Sequence, residues 1–167
     1  SLVLGLRNSH DKIFPVGMVG GAGVFVCDNL SFSGEVKELR KHTLNCAADL
    51  PGRITRAIAS LNQLWVSQET RFNAYKETQL LRSIDVNDLL VRAYKAQAMP
   101  ITYLPDVLGE WTTPTHEEFA SRSVWSLFNA FTEVLKRTAL LELPNRTQAL
   151  HLLLDEYCGI AVDNNRE

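Results

Sequence analysis

The chain has 167 residues, of which 46% are hydrophobic and 22% charged, with a net charge of −2 and a pI near 6.1. That is enough for one domain with a real core, and the charge balance excludes a protein that coats nucleic acid by bulk charge. No apolar run approaches the ~20 residues of a membrane helix, and no charged-then-apolar leader opens the chain. Three cysteines, Cys27, Cys46 and Cys158, show no short pairing pattern, which fits reduced thiols and a cytoplasmic setting.

The chain divides near residue 45. Ahead of it, β-favouring residues alternate with glycine; beyond it, helical periodicity dominates. Ser1-Leu2-Val3-Leu4 enters a strand-like run at once, as in a chain missing its natural beginning or an edge strand tied in from the first residue. Residues 3–7 read as a strand and 8–12 as a polar turn. Residues 14–18 and 23–27 read as two strands or one bent strand, with Gly17, Gly20, Gly21 and Gly23 marking a bulge or tight turn between them. Residues 33–42 are taken as a further strand from their position, although Val36 and Leu39 have helical spacing.

Asp49-Leu50-Pro51 opens a long helix, with Asp as cap and Pro in the first turn. Its apolar positions Ile54, Ile58, Leu61, Trp65, Phe72 and Tyr75 step by four and three, and only Gln68 interrupts the seam. A 3.5-residue period predicts lengthwise packing against a partner helix, in the same chain or in a second copy. Asp85, followed by Asp88, caps a second helix that ends before Pro100. A connector from Pro100 to Pro114 holds Trp111 and room for one short helix. The third long helix carries Val124, Phe128, Phe131 and Leu135 on a face widened by Trp125, Leu127 and Val134, so it is expected to be the most buried. Asn145 caps a last helix that Gly159 ends, and residues 161–167 form a polar tail.

Two clusters concentrate reactive side chains. Asn8-Ser9-His10-Asp11 combines a nucleophile type, a base type and a carboxylate. On a strand, however, Asn8 and His10 share one face while Ser9 and Asp11 take the other, which is poor geometry for a Ser–His couple. An Asx-type turn, with Asn8, Ser9 and Asp11 bonded to local backbone, is the favoured reading of these residues. Cys27-Asp28-Asn29 follows an apolar strand; Cys27 suits a small buried hydrophobe, and Asp28 and Asn29 suit a turn. If the strands pair, His10, Asp11, Cys27 and Asp28 meet at one end of a sheet, although no metal-ligand spacing marks them. Gly17 to Gly23 precedes its strand, whereas a dinucleotide-binding loop follows one. His116-Glu117-Glu118 lacks the second histidine of a zinc-protease helix. A basic strip is the remaining signal: Arg7, Lys12, Lys37, Arg40, Lys41 and His42, with Arg53 and Arg56 one helical turn apart. It is enough to track a phosphate backbone locally. A solvated face with Glu35 and Glu38 interspersed is the favoured reading of the same residues, and no aromatic residue interleaves them for base stacking.

Several stretches together resemble a known family. Leu4-Gly5-Leu6-Arg7-Asn8-Ser9-His10-Asp11-Lys12, Val24-Phe25-Val26-Cys27-Asp28-Asn29-Leu30 and Arg40-Lys41-His42-Thr43 are similar to the phage/plasmid-like family called domain of unknown function 932. So are Asp88-Leu89-Leu90-Val91-Arg92-Ala93 and Trp125-Ser126-Leu127-Phe128-Asn129-Ala130-Phe131-Thr132. Many members read Cys-Ser-Asn-Gly where this chain has Cys27-Asp28-Asn29-Leu30, and many have more sequence ahead of the Asn-Ser-His-Asp motif. The resemblance implies a setting in phages, plasmids and integrated elements, without an activity or a catalytic residue list.

The expected fold is a single α+β domain over residues 1–167: a small antiparallel sheet from residues 2–43 packed against four or more helices. The expected function is non-enzymatic binding of single-stranded nucleic acid, or of a nucleic-acid-processing protein, through the sheet and basic strip. No cofactor is expected. The alternatives are a metal-assisted enzyme using His10, Asp11, Cys27 and Asp28, and a homo-oligomeric interaction module pairing through the helix at 51–80.

Overall fold

The computed structural model of this chain describes residues 2–7, 16–24, 29–31, 37–40, 46–139 and 142–160. Six α-helices run in order through them: α1 (Cys46–Ala59), α2 (Leu61–Glu77), α3 (Ser83–Lys95), α4 (Leu104–Thr112), α5 (Val124–Leu135) and α6 (Leu143–Tyr157). In the first 45 residues the described backbone pairing is a short antiparallel ladder. There β2 (Val16–Val24) takes β1 (Leu2–Arg7), β3 (Asn29–Ser31) and β4 (Lys37–Arg40).

The α+β expectation is corrected: this is a helical fold. The part of the chain whose side chains are described is 74% helical. Among the described side chains, its main core is built from helices and their connections. Met18, on β2, has a described side chain and lies in a small buried cluster with Ala57 and Leu61. The reason lies in β2, where Gly17, Gly20, Gly21 and Gly23 remove four of nine side chains from the ladder's shared strand. A strand so poor in side chains has little apolar surface with which to found a core.

The seam running from Ile54 to Tyr75 predicts one helix, but Ser60 divides it into α1 and α2. The Ser60 hydroxyl donates to the Ala57 carbonyl at 2.8 Å, competing for the acceptor that the helix ladder uses. α1 also begins earlier than expected, at Cys46, so Pro51 sits inside it. At that depth proline forgoes the ladder bond to residue 47 and crowds its carbonyl, a cost of about 3 kcal/mol that the helix carries. The seam is buried unevenly among the described residues. Gln68 and Tyr75 are fully buried, whereas Ile58 and Trp65 are 53% and 41% exposed.

α5 lies at the centre, as its apolar face predicts, with ten of its twelve residues buried. Ser123 caps it, accepting the Ser126 N–H. α2, α4 and α6 pack on α5, and α3 packs on α6. α3 starts at Ser83, so Asp85 lies inside its first turn and binds Arg82 instead of capping. α6 likewise starts at Leu143, ahead of Asn145.

Two helices end in the same hydrogen-bonded pattern with different residues at the left-handed position. After α6, Gly159 has φ +69°, its N–H meets the Glu156 carbonyl, and the Ile160 N–H meets that of Asp155. After α3, Gln97 takes φ 59°, with Gln97 N–H on the Tyr94 carbonyl and Ala98 N–H on that of Ala93. Both are Schellman closures, and only the first uses the residue free of Cβ strain. Gly159→Ala is expected to cost about 1 kcal/mol and Gln97→Gly to gain a similar or smaller amount. Equilibrium urea unfolding of both variants checks the opposite signs.

Candidate functional site

Asn8, Ser9, His10, Asp11, Cys27 and Asp28 lie outside the described residues, as do Lys12, Lys41 and His42. Asn29 opens β3, opposite Val24. Arg7 ends β1 opposite Gly17, and Lys37 and Arg40 bound β4, opposite Val19 and Val16. β4 packs against α1, the helix that carries Arg53 and Arg56. Thus Lys37, Arg40, Arg53 and Arg56 sit on two touching elements. Arg56 is exposed and lies over Gly52, where an added Cβ would stand 3.6 Å from its guanidinium Nη1.

Residues far apart in the chain form the one dense polar constellation among the described side chains. α2 places Gln68, Arg71 and Tyr75 along one face by steps of three and four, and α6 places His151 and Asp155 one turn apart. Arg71 Nε donates to both Asp155 oxygens, at 2.9 and 3.0 Å. The Tyr75 hydroxyl donates to Asp155 Oδ1 at 2.7 Å. Its oxygen lies 3.2 Å from His151 Nδ1. Since the hydroxyl proton goes to Asp155, the Tyr75 oxygen accepts, and Nδ1 is the protonated nitrogen of His151.

The electrostatics follow from burial. Tyr75, His151 and Asp155 are at most 2% exposed. Burial, and then the Arg71 charge, hold the His151 imidazole well below its ordinary pKa, so it stays neutral. Burial and the Asp155 carboxylate push the Tyr75 phenol well above its own. The His151 ring also stacks on Phe128, 5.0 Å between centroids, within a cluster that includes Phe72 and Trp125. Gln68 is fully buried, and neither amide atom has a hydrogen-bond partner.

An acid, a base and a hydroxyl therefore converge, but they are turned toward one another beneath the surface. Tyr75 shows no exposure at all, so no substrate atom reaches the hydroxyl. What the arrangement does is hold α2 on α6. Sequence reasoning caught two of its members, Tyr75 as a seam position and Gln68 as its interruption. It missed Arg71, His151 and Asp155. The available signal was His151 and Asp155 set one turn apart among Leu150, Leu153 and Leu154, polar groups on an apolar face.

Among the described residues no three His, Cys, Asp or Glu side chains converge as a metal site. None of the described helices is long and apolar enough to cross a membrane. No protein-family model, curated protein or solved structure matches this chain.

Tyr75→Phe removes a donor to a buried carboxylate and is expected to cost about 2 kcal/mol. Gln68→Met replaces an unpartnered amide by a similar apolar volume and is expected to gain about 1 kcal/mol. Chemical denaturation of each variant distinguishes the two.

His151 also gives stability a pH dependence. Its folded-state pKa is depressed, so its contribution is whole above the ordinary value and is lost as pH falls from there toward the folded value. Thermal melts of the wild type and His151→Gln should converge as pH drops below ~6.5. Melting curves that stay parallel across that range count against the assignment.

Proposed function

We propose that this chain is a non-enzymatic, nucleic-acid-associated binding protein of the phage/plasmid-like type it resembles. In this reading it engages single-stranded nucleic acid, or a protein that processes it, through the basic strip, and it works in the cytoplasm. The observation that supports the reading is the packing of β4, with Lys37 and Arg40, against α1, with Arg53 and Arg56. Two touching elements with like charges gather positive potential in a chain whose net charge is −2. Arg56 is exposed on this helix.

Binding of this kind proceeds by release of condensed counterions, so it carries a signature that shape recognition alone lacks. The absence of interleaved aromatics predicts little preference among bases. The cytoplasmic part of the proposal is consistent with a free thiol at Cys158, whose pKa is raised mainly by burial.

Fluorescence anisotropy of a labelled single-stranded oligonucleotide tests the proposal. Saturable binding should weaken as salt rises. Arg56→Ala should lower the affinity severalfold and reduce the log–log salt slope by about 0.7. No binding at low salt by the folded protein sinks it for single strands. An unchanged slope in the variant removes the strip as the contact surface.

A further inference from the structure

We infer that the outward face of α3 is a self-complementary contact through which two copies of this chain pair antiparallel about a two-fold axis. The inference is independent of nucleic-acid binding. α3 turns Val86, Leu89, Leu90 and Ala93 into the core. Opposite them, in steps of four, three and four, stand Ile84, Asp88, Val91 and Lys95. Ile84 is 67% exposed and Val91 47%. Two apolar side chains thus alternate with one acid and one base at the 3.5-residue spacing of a helix-pairing seam.

The charges on this line are the ones available to a partner. Arg92 points aside to α6, where it meets Glu156 at 3.0 Å, and it reaches Asp88 only at 4.0 Å. The Asp88 side chain is 63% exposed. Lys95 is exposed and forms no ion pair among the described residues. The order along the stripe then selects the occupant and its direction. In an antiparallel pair whose two-fold axis passes between Val91 and Arg92, Asp88 of each copy faces Lys95 of the other, both charges are matched twice, and the two Val91 side chains meet beside the axis. A parallel pair sets Asp88 on Asp88 and Lys95 on Lys95. Only the antiparallel arrangement matches the charges of the surface with themselves, and as a two-fold contact it is isologous and closed.

A helix of thirteen residues covers an area at the small end of specific interfaces. The dimer is accordingly a weak one, populated only at high protein concentration. Each position is solvent-exposed in the single chain, so substitution there leaves the fold intact, and circular dichroism serves as the control.

Sedimentation equilibrium of the whole chain over a broad concentration series tests the inference. A monomer–dimer equilibrium is expected. Asp88→Lys or Lys95→Asp alone should weaken it roughly tenfold by placing like charges opposite, and the double variant should restore it. Val91→Asp should abolish it. A monomer at every concentration overturns the proposal. So does a dimer indifferent to all three positions, or one lost instead on Trp65→Glu, which would place pairing on α2. Failure of the charge exchange to rescue overturns the antiparallel register.

Discussion

Asp155 is the group on which the rest of the structure depends. A carboxylate with 2% of its surface in water is tolerable only while charged partners and hydrogen bonds replace its solvation. Arg71 and Tyr75 provide both, from a helix whose nearer contact is 80 residues away in the chain. A slip of α2 along α6 by one residue would carry both donors out of reach. The network therefore sets register, something the surrounding leucines cannot do, because one apolar contact replaces another at small cost. Whether such a buried pair adds net stability over well-packed apolar residues is a separate matter, and commonly it adds none.

The same geometry separates structure from recognition. His151 completes the polar set and, by stacking on Phe128, joins it to the aromatic cluster on α5. Every member is thus oriented by another member or by the core. A catalytic group has to spend part of its bonding capacity on a substrate and on water it can exclude. The Tyr75 hydroxyl already donates to Asp155 and accepts from His151, with no surface left over. Chemistry-bearing residue types have here been recruited to hold helices in place, which directs the search for function to the exterior.

The helices were legible because period and punctuation agree. α5 appears in the sequence through Val124, Phe128, Phe131 and Leu135, and the end of α6 through Gly159, whose positive φ is the reason glycine stands there. Boundaries set by competing side-chain bonds were less visible. Ser60 breaks a seam whose apolar spacing runs on unbroken, and Asp85 prefers Arg82 to the cap. The fold class misread a real local preference: β-favouring residues do pair in the first 45 residues, but glycine takes from them the side chains a core requires. The network was the least legible part. Its partners are set by how α2 meets α6 in space, and local spacing carries no information about that meeting. The candidate residues from Asn8 to Asp11 and at Cys27 and Asp28 lie outside the described residues.

Charge use across the helices bears on both proposed surfaces. Among the described residues, Arg71, Arg82, Arg92, Lys136, Arg137 and Arg146 are each matched by a carboxylate. Lys76 and Arg122 lie over the rings of Trp125 and Trp111. The cations matched by carboxylates contribute little long-range field, since each is offset where it stands. Arg56 and Lys95 are the exposed exceptions on α1 and α3. They differ in surroundings. Arg56 belongs to a helix that packs against a strand with two further bases and one acid, Glu38, so bases outnumber acids locally, which suits a polyanion. Lys95 shares its stripe with Asp88, so the local field is dipolar and suits a copy of itself turned end for end. An acidic protein can present both kinds of surface because, among the residues whose side chains are described, carboxylates match most of the other positive charges.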